Sequence, residues 1–158
     1  MFQVHLSKER FKFSSSHFTL FSEDKAEALH GHNYQVEVVL EFKKISPEAG
    51  LAAEFHSLKV CLDETLADLD EKVLIPSLSP FLDIGETETN IEVKFHNKFY
   101  SFPREDCLVL EVVNTSSECL SQWLFEALKE DMAKLGAKSL QVCLFESPGQ
   151  GVSYKAFI

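Results

Sequence analysis

The chain has 158 residues, of which 45% are hydrophobic, and a formal net charge of −10. This length and apolar content are typical of one globular domain with its own core, and they exclude a disordered chain. The negative charge argues against a nucleic acid partner, and no apolar run approaches the roughly 20 residues of a membrane span. The charged, alternating N-terminus is unlike a signal peptide, so we expect a cytoplasmic protein with four reduced cysteines.

The first half of the sequence predicts two strands followed by a helix. Residues 2–13 and 33–43 alternate apolar and polar side chains, which is the pattern of half-buried strands, and the polar residues 14–28 connect them. After a turn at residues 46–50, apolar residues recur every three or four positions over residues 54–72. That spacing predicts an amphipathic helix.

The second half predicts a hairpin, a strand, a second helix and two closing strands. Their ranges are 90–102, 107–113, 114–136, 139–146 and 152–158. Together with the first half, this order predicts a single α+β domain over residues 1–158. We expect an antiparallel sheet with two helices packed on one face.

Local signals predict where two of these elements turn or end. Thr115 and Glu118 form a capping box at the start of the second helix, and Gly136 is suited to the position just after its end. The hairpin turn is predicted at residues 96–98.

Three histidines can meet at one end of the predicted sheet. His30 and His32 are two residues apart at the start of a strand, so both side chains point to the same face. His17 lies near the end of the first strand and can reach the pair if the two strands are neighbours. Three imidazoles suit a catalytic zinc ion, which takes three protein ligands and leaves a fourth position open. The spacing alone also fits three unrelated polar histidines.

Four acidic side chains are candidates for chemistry near this end of the sheet. Glu27 lies three residues before His30, where a carboxylate can act as a general base or orient a ligand imidazole. Asp70 and Glu71 end the first helix, where acidic groups oppose the helix dipole. Glu146 follows a strand, and a carboxylate there can accept two parallel hydrogen bonds from a planar ring. Each of the four is also compatible with an ordinary solvated acid.

Taken together, these segments resemble the 6-pyruvoyl-tetrahydropterin synthase and 6-carboxy-tetrahydropterin synthase family. The matching segments occur in the family's order and cover most of the chain, and the motif LHGHNY with an upstream histidine is the most specific of them. They are SSSHF (14–18), LHGHNYQVEV (29–38), EFHSLK (54–59), LDEKVL (69–74), NTSSECLSQWL (114–124) and LFESPGQGVSY (144–154). Residues 100–118 are similar to the longer archaeal-type members.

The resemblance implies a tunnelling fold, in which a four-stranded antiparallel sheet carries two helices on one face. The hairpin at residues 90–102 would be an insertion into that fold. In this family, trimers close a barrel, two trimers usually stack into a hexamer, and substrate sites lie between subunits. We therefore expect a homo-oligomer.

The resemblance also implies a ligand, a cofactor and the residues that bind them. The ligand would be a small-molecule pterin and the cofactor zinc. Zinc would be bound by His17, His30 and His32. Glu146 would anchor the pterin ring, and the pocket would be bordered by Ser116, Ser117 and Glu118.

The acid–base residues depart from those of the synthases. Synthase members carry a cysteine four residues before the first histidine of HGH, where this chain has Ala26. Glu27 instead completes the pattern ExxHGH, typical of a subgroup that cleaves the side chain of dihydroneopterin triphosphate to give 6-hydroxymethyl-dihydropterin. The family's Asp-His relay is here Asp70-Glu71. The resemblance thus implies a lyase acting on dihydroneopterin or its triphosphate, with Glu27, Asp70 and Glu71 as catalytic groups.

Two alternatives stay open at this point. The chain could be a catalytically silent member that keeps zinc and binds a pterin or a purine. It could also be a true pyruvoyl- or carboxy-tetrahydropterin synthase that uses a different base.

Overall fold

Four antiparallel strands form the centre of the main sheet, around the long strand β3 (His30–Phe42). The computed structural model describes residues 1–158. Strand β3 pairs with β2 (Lys12–His17) on one side and with β9 (Ser139–Ser147) on the other, and β9 pairs with β10 (Gln150–Phe157). The predicted antiparallel sheet is therefore confirmed.

Three further strands extend this sheet to seven. Strand β1 (Phe2–Leu6) pairs with the second half of β3, whereas β4 (Lys72–Pro76) and β8 (Cys107–Leu110) add in parallel beyond β2. The main sheet therefore has more strands than the four that the resemblance implied. The predicted strand over residues 2–13 is in fact β1 and β2, because the polar residues between them form a turn in which Phe11 N donates to Lys8 O at 2.9 Å.

The two predicted helices are present and lie on one face of the sheet. Helix α1 (Phe55–Leu69) and helix α2 (Ser117–Lys134) are shorter than the predicted ranges. Both bury leucines in a core cluster of 24 residues that also contains the apolar side chains of β3 and β9. Cys61, Cys107, Cys119 and Cys143 are free thiols. Neither helix is long and apolar enough to cross a membrane.

The predicted capping box of Thr115 and Glu118 is wrong, because the helix begins one residue later and Cys119 takes the position where a capping box needs Glu or Gln. Ser116, not Thr115, is the N-cap of α2, since its side-chain oxygen accepts from Cys119 N at 3.4 Å. The hydroxyl of Thr115 instead donates to the carbonyl of Phe18 at 3.2 Å. Gly136 follows the C-cap with φ of 97°, as predicted for a glycine that ends a helix.

The insertion between β4 and β8 is a small sheet of three strands. The predicted hairpin is formed by β6 (Asn90–Phe95) and β7 (Lys98–Pro103), and β5 (Asp83–Glu86) adds to it. Its turn is shorter than predicted, because Phe95 already pairs with Lys98. This sheet buries apolar side chains against the loop that follows β2, in a second cluster of six residues. It therefore covers the segment that leads from His17 toward Glu27.

Candidate active site

The three histidines predicted as metal ligands meet at the end of the sheet. In the antiparallel register His17 faces His30 and Ser15 faces His32 across the β2–β3 pair, so all three imidazoles share the helix-covered face. Their ligand atoms all lie within 4.8 Å of one another, and the two Nε2 atoms of His30 and His32 are 2.9 Å apart. The arrangement could hold a metal ion.

Backbone carbonyls orient two of these imidazoles. The Nδ1 atom of His17 lies 2.8 Å from Thr115 O, and that of His30 lies 2.7 Å from Ala28 O. Because a carbonyl oxygen only accepts, each Nδ1 carries the proton and each Nε2 keeps a lone pair. Such hydrogen bonds fix the tautomer and ring orientation of histidines that bind metals. Both Nε2 atoms therefore carry the lone pair through which a histidine binds a metal.

The environment of His17 favours the neutral imidazole that metal binding requires. Its side chain is buried, and this burial is the main reason why the pKa of His17 lies below its ordinary value. Positive charge on His30 or His32 lowers that pKa further, whereas the bond to Thr115 and the charge of Glu146 oppose the shift. His17 is thus a lone-pair donor at neutral pH.

Glu27 lies beside the histidines, as its spacing predicted. Its Oε2 atom is 4.0 Å from Nε2 of His30 and accepts from the backbone N–H of Thr19 at 3.1 Å. Burial alone raises the pKa of Glu27, but the hydrogen bonds from Thr19 and the charges of His30 and His17 together outweigh it, so the pKa is lowered. The carboxylate is therefore ionised and able to accept a proton.

A cavity of about 210 Å³ joins Glu27 to the predicted ring-binding residues. It lies at the N-terminus of α2, whose dipole favours negative charge. Nine residues line it: Thr19, Glu27, Ser116, Ser117, Glu118, Glu146, Gln150, Gly151 and Val152. Sequence positions from four separate segments thus come together in one pocket.

Two side chains hold the carboxylate of Glu146 in this cavity. The hydroxyl of Ser117 donates to Oε1 at 2.6 Å, and the amide of Gln150 reaches Oε2 at 3.4 Å. Glu146 is half-buried and follows Leu144 on the core face of β9, close enough to His17 for its charge to act on that imidazole. Its oxygens therefore lie near the histidines and are oriented by donors.

Comparison with known proteins agrees with this geometry. The sequence model described as 6-pyruvoyl tetrahydropterin synthase matches residues 5–156. The chain belongs to this family. Relatives in Methanocaldococcus jannaschii and Pyrococcus abyssi, both provisionally named 6-carboxy-5,6,7,8-tetrahydropterin synthase, are 26% and 28% identical. The first alignment covers 93% of this chain and 91% of the Methanocaldococcus relative. The second covers 92% of this chain and 85% of the Pyrococcus relative.

Solved structures of the family share the whole fold. The 6-pyruvoyl tetrahydropterin synthase of Plasmodium vivax superposes with a TM-score of 0.91 at 27% identity, covering 99% of this chain and 98% of that one. The Plasmodium falciparum enzyme gives a TM-score of 0.90 at 26% identity with the same coverage. The architecture is therefore the tunnelling fold, as the resemblance implied.

Asp70 and Glu71 lie apart from the cavity that contains Glu27. The carboxylate of Asp70 accepts from the backbone N–H of Ser14 at 2.7 Å, and Glu71 N donates to Ser14 O at 2.7 Å. Glu71 lines a separate polar cavity of about 430 Å³ that also touches His32. Within one chain these two acids fasten β2 to the end of α1, and their catalytic role stays a prediction.

Three residues of the site were not singled out from the sequence. Thr19 and Gln150 contact the two carboxylates, and no spacing pattern marks them. Tyr34, whose hydroxyl lies 3.2 Å from Nε2 of His17, could have been found. It follows His32 by two residues on the same strand, so it shares the face of the histidines.

Proposed function

We propose that this protein is a zinc-dependent lyase that cleaves the side chain of dihydroneopterin or its triphosphate to give 6-hydroxymethyl-dihydropterin. One observation carries the proposal: among the carboxylates that line a single cavity, Glu27 lies beside the histidine cluster and Glu146 accepts from hydrogen-bond donors. One structure of the Plasmodium vivax relative carries alanine in place of a glutamate that is described as a catalytic residue. A carboxylate therefore serves catalysis in that protein.

The zinc ion would be held by His17, His30 and His32. Three imidazoles whose ligand atoms lie within 4.8 Å of one another are a donor set of catalytic zinc sites, which keep one position open. Zinc bound there would act as a Lewis acid toward the oxygen atoms of the substrate side chain. The hydrogen bonds from His17 and His30 to backbone carbonyls hold the ligands ready for it.

Glu146 would bind the pterin ring. A pterin presents a ring N–H and an exocyclic amine side by side, and a carboxylate can accept from both. Ser117 and Gln150 already orient the two oxygens. This contact would direct the side chain of the substrate toward Glu27, which lines the same cavity and lies beside His30.

Glu27 would act as the base in a retro-aldol cleavage. It would take the proton of the 2′-hydroxyl, after which the C1′–C2′ bond breaks and C2′ leaves as the aldehyde carbon of glycolaldehyde or of its triphosphate. The electron pair of the broken bond passes to C1′ and into the conjugated C6–N5 imine of the ring. Return of the proton to C1′ gives the hydroxymethyl product. The step consumes no water and no oxidant.

The charges around the cavity favour the unphosphorylated substrate. A triphosphate needs lysine or arginine nearby, yet no residue that lines the cavity is cationic. Arg104 is paired with Glu86 at 2.7 Å, and Lys25 lies over the ring of Phe21. Neither side chain therefore provides a phosphate site within one chain.

The proposal includes a homohexamer built from two trimers. Substrate sites in this family lie between subunits, so assembly offers a route by which Asp70 and Glu71 of one subunit take part in catalysis at the cavity of another. The molecular mass in solution, measured by light scattering, tests this part of the proposal.

The decisive experiment is product identification by mass spectrometry. Zinc-loaded protein is incubated separately with dihydroneopterin and with its triphosphate. We expect 6-hydroxymethyl-dihydropterin and one equivalent of the two-carbon aldehyde. A 6-pyruvoyl or 6-carboxy product would make the protein a synthase with a different base. Binding of both compounds without turnover would make it a silent binding protein.

A further inference from the structure

The hydroxyl of Tyr34 lies beside the histidine cluster in a fixed position. The side chain is 0% exposed, and its ring stacks on that of Phe13 with the centroids 4.8 Å apart. The hydroxyl lies 3.2 Å from Nε2 of His17, which is its only hydrogen-bond partner. Because the ring is packed on all sides, the hydroxyl cannot turn away from the histidines to find another partner.

The direction of this hydrogen bond follows from the other nitrogen of His17. Its Nδ1–H donates to Thr115 O at 2.8 Å, so Nε2 of the neutral ring has a lone pair and no proton. The hydroxyl of Tyr34 must therefore be the donor. It donates to the lone pair through which His17 would bind a metal ion.

Metal binding and this hydrogen bond exclude each other. A metal ion on Nε2 of His17 takes the lone pair, and the buried hydroxyl of Tyr34 then loses its acceptor. Buried donors without an acceptor are rare and destabilising. An oxygen atom of a ligand at the open position of the metal would satisfy the hydroxyl again.

We infer that Tyr34 is a specificity-determining residue that donates a hydrogen bond to a ligand oxygen beside His17 once the metal site is filled. The inference rests on the metal site of the proposed function but not on the pterin. It makes the site selective for ligands that bind through oxygen. In the proposed reaction that oxygen would belong to a hydroxyl of the substrate side chain.

The test compares two small probes that bind zinc through different atoms. Acetohydroxamate binds through oxygens that can accept from Tyr34, whereas imidazole binds through nitrogen and leaves no acceptor. Both are titrated calorimetrically into the zinc-loaded wild type and into Tyr34→Phe. We expect the variant to bind acetohydroxamate about 3- to 10-fold more weakly, the range of one neutral hydrogen bond. Its affinity for imidazole should be unchanged. Equal changes for both probes, or none for acetohydroxamate, would overturn the inference.

Zinc affinity, measured by competition with a chromophoric chelator, gives a second readout. Tyr34→Phe removes the donor that competes for His17, so the variant should bind zinc as tightly as the wild type or a few-fold more tightly. Weaker zinc binding would mean that Tyr34 supports the metal directly and would also overturn the inference. Tyr100→Phe is the matched control. Tyr100 lies on β7 of the inserted sheet, its ring stacks on those of Phe18 and Phe102, and its hydroxyl makes no hydrogen bond. It should change neither affinity.

The two proposals can fail separately. Neither probe is a pterin, so the absence of pterin turnover would leave a positive result for Tyr34 standing. Failure of the wild type to bind zinc would overturn both proposals together. If zinc is bound but Tyr34→Phe changes the affinities for the two probes equally, only the inference about Tyr34 is overturned.

Discussion

The Nδ1–H of His17 donates to the carbonyl oxygen of Thr115 at 2.8 Å. This bond ties the first histidine of the cluster to the loop that leads into α2, where Ser117 orients Glu146. The proposed metal site and the proposed ring site are therefore positioned by the same short segment. A substitution at the metal site is therefore expected to affect the ring site through Thr115, and the reverse.

We expect one zinc ion per subunit, and we expect its loss in the double variant His30→Ala, His32→Ala. The Nε2 atoms of these two histidines are 2.9 Å apart, as two ligands of one ion can be. Removing both imidazoles leaves only His17 of the three proposed ligands. Metal analysis of the tag-free protein checks this expectation. His56→Ala, an exposed position on α1, is the control and should retain zinc. Full zinc content in the double variant would contradict the assignment.

Glu27→Gln should lower the turnover of a reduced pterin at least ~100-fold, which is the usual contribution of a general base. Zinc content should stay unchanged, because Glu27 is not a proposed ligand. The rate is measured alongside that of Glu23→Gln, an exposed neighbour in the same loop, which should be as active as the wild type.

Alkylation of the thiols distinguishes a carboxylate from a cysteine as the catalytic base. Burial raises the pKa of both Cys61 and Cys107, which disfavours the reactive thiolate. Treatment with iodoacetamide should therefore leave most of the activity. Inactivation by alkylation, combined with an active Glu27→Gln variant, would mean that a cysteine and not Glu27 is the base.

The histidine cluster could be predicted because it depends on local geometry. Side chains two residues apart share a face in any strand, which brings His30 and His32 together whatever the strand pairs with. The contribution of His17 required only that β2 and β3 be neighbours, and consecutive strands often are.

Other features depend on long-range contacts that no local pattern contains. Both Thr115 and Ser116 are good N-cap residues, and Ser116 is chosen because Thr115 is bound to Phe18 and His17. The parallel pairing of β4 with β2 and of β8 with β4 was missed, because a short apolar run does not indicate its partner. For the same reason, the sequence could not show that Asp70 would bind the backbone of Ser14.

Stability should depend on pH through Glu41, which lies near the C-terminal end of β3, opposite the end that carries His30 and His32. The hydroxyl of Ser139, followed by Lys155 and Gln3, lowers the pKa of Glu41 to about 2. A lowered pKa in the folded state stabilises the protein above the ordinary glutamate pKa of 4.5, and this contribution is lost as the pH falls toward 2.

Urea unfolding of Glu41→Gln at several pH values tests this expectation. The variant should have a lower free energy of unfolding than the wild type at pH 7. The difference should shrink between about pH 5 and pH 2, where the wild-type carboxylate becomes protonated. Glu23→Gln, at an exposed position, should show no such pH-dependent difference. A difference that is constant with pH would mean that the carboxylate charge is not involved.

Gly151→Ala should destabilise the protein by about 1–3 kcal/mol, the usual cost of inserting atoms into a packed site. A Cβ atom at this position would come within 2.5 Å of both Leu144 O and the ring of Phe145, next to the proposed ring anchor. Gly85→Ala is the control, because its Cβ would meet nothing within 4 Å. Both are measured by urea unfolding, and equal stabilities of the two variants would contradict the close approach.

The affinity for the pterin ring should depend on Glu146 whether or not the protein is a catalyst. In Glu146→Ala the ring N–H and the exocyclic amine would lose their acceptor, at a cost of roughly 1–3 kcal/mol for each donor. Calorimetric titration with neopterin should therefore show affinity at least ~10-fold weaker than in the wild type.

Two further variants show whether this loss arises at the ring anchor. Ser117→Ala removes only the 2.6 Å hydrogen bond that orients the carboxylate, so it should weaken neopterin binding less than Glu146→Ala does. Glu130→Ala, on the exposed face of α2, removes the same charge elsewhere and should bind neopterin like the wild type. If Glu146→Ala also matched the wild type, the ring would bind at another place, and the pterin specificity of this cavity would lose its physical basis.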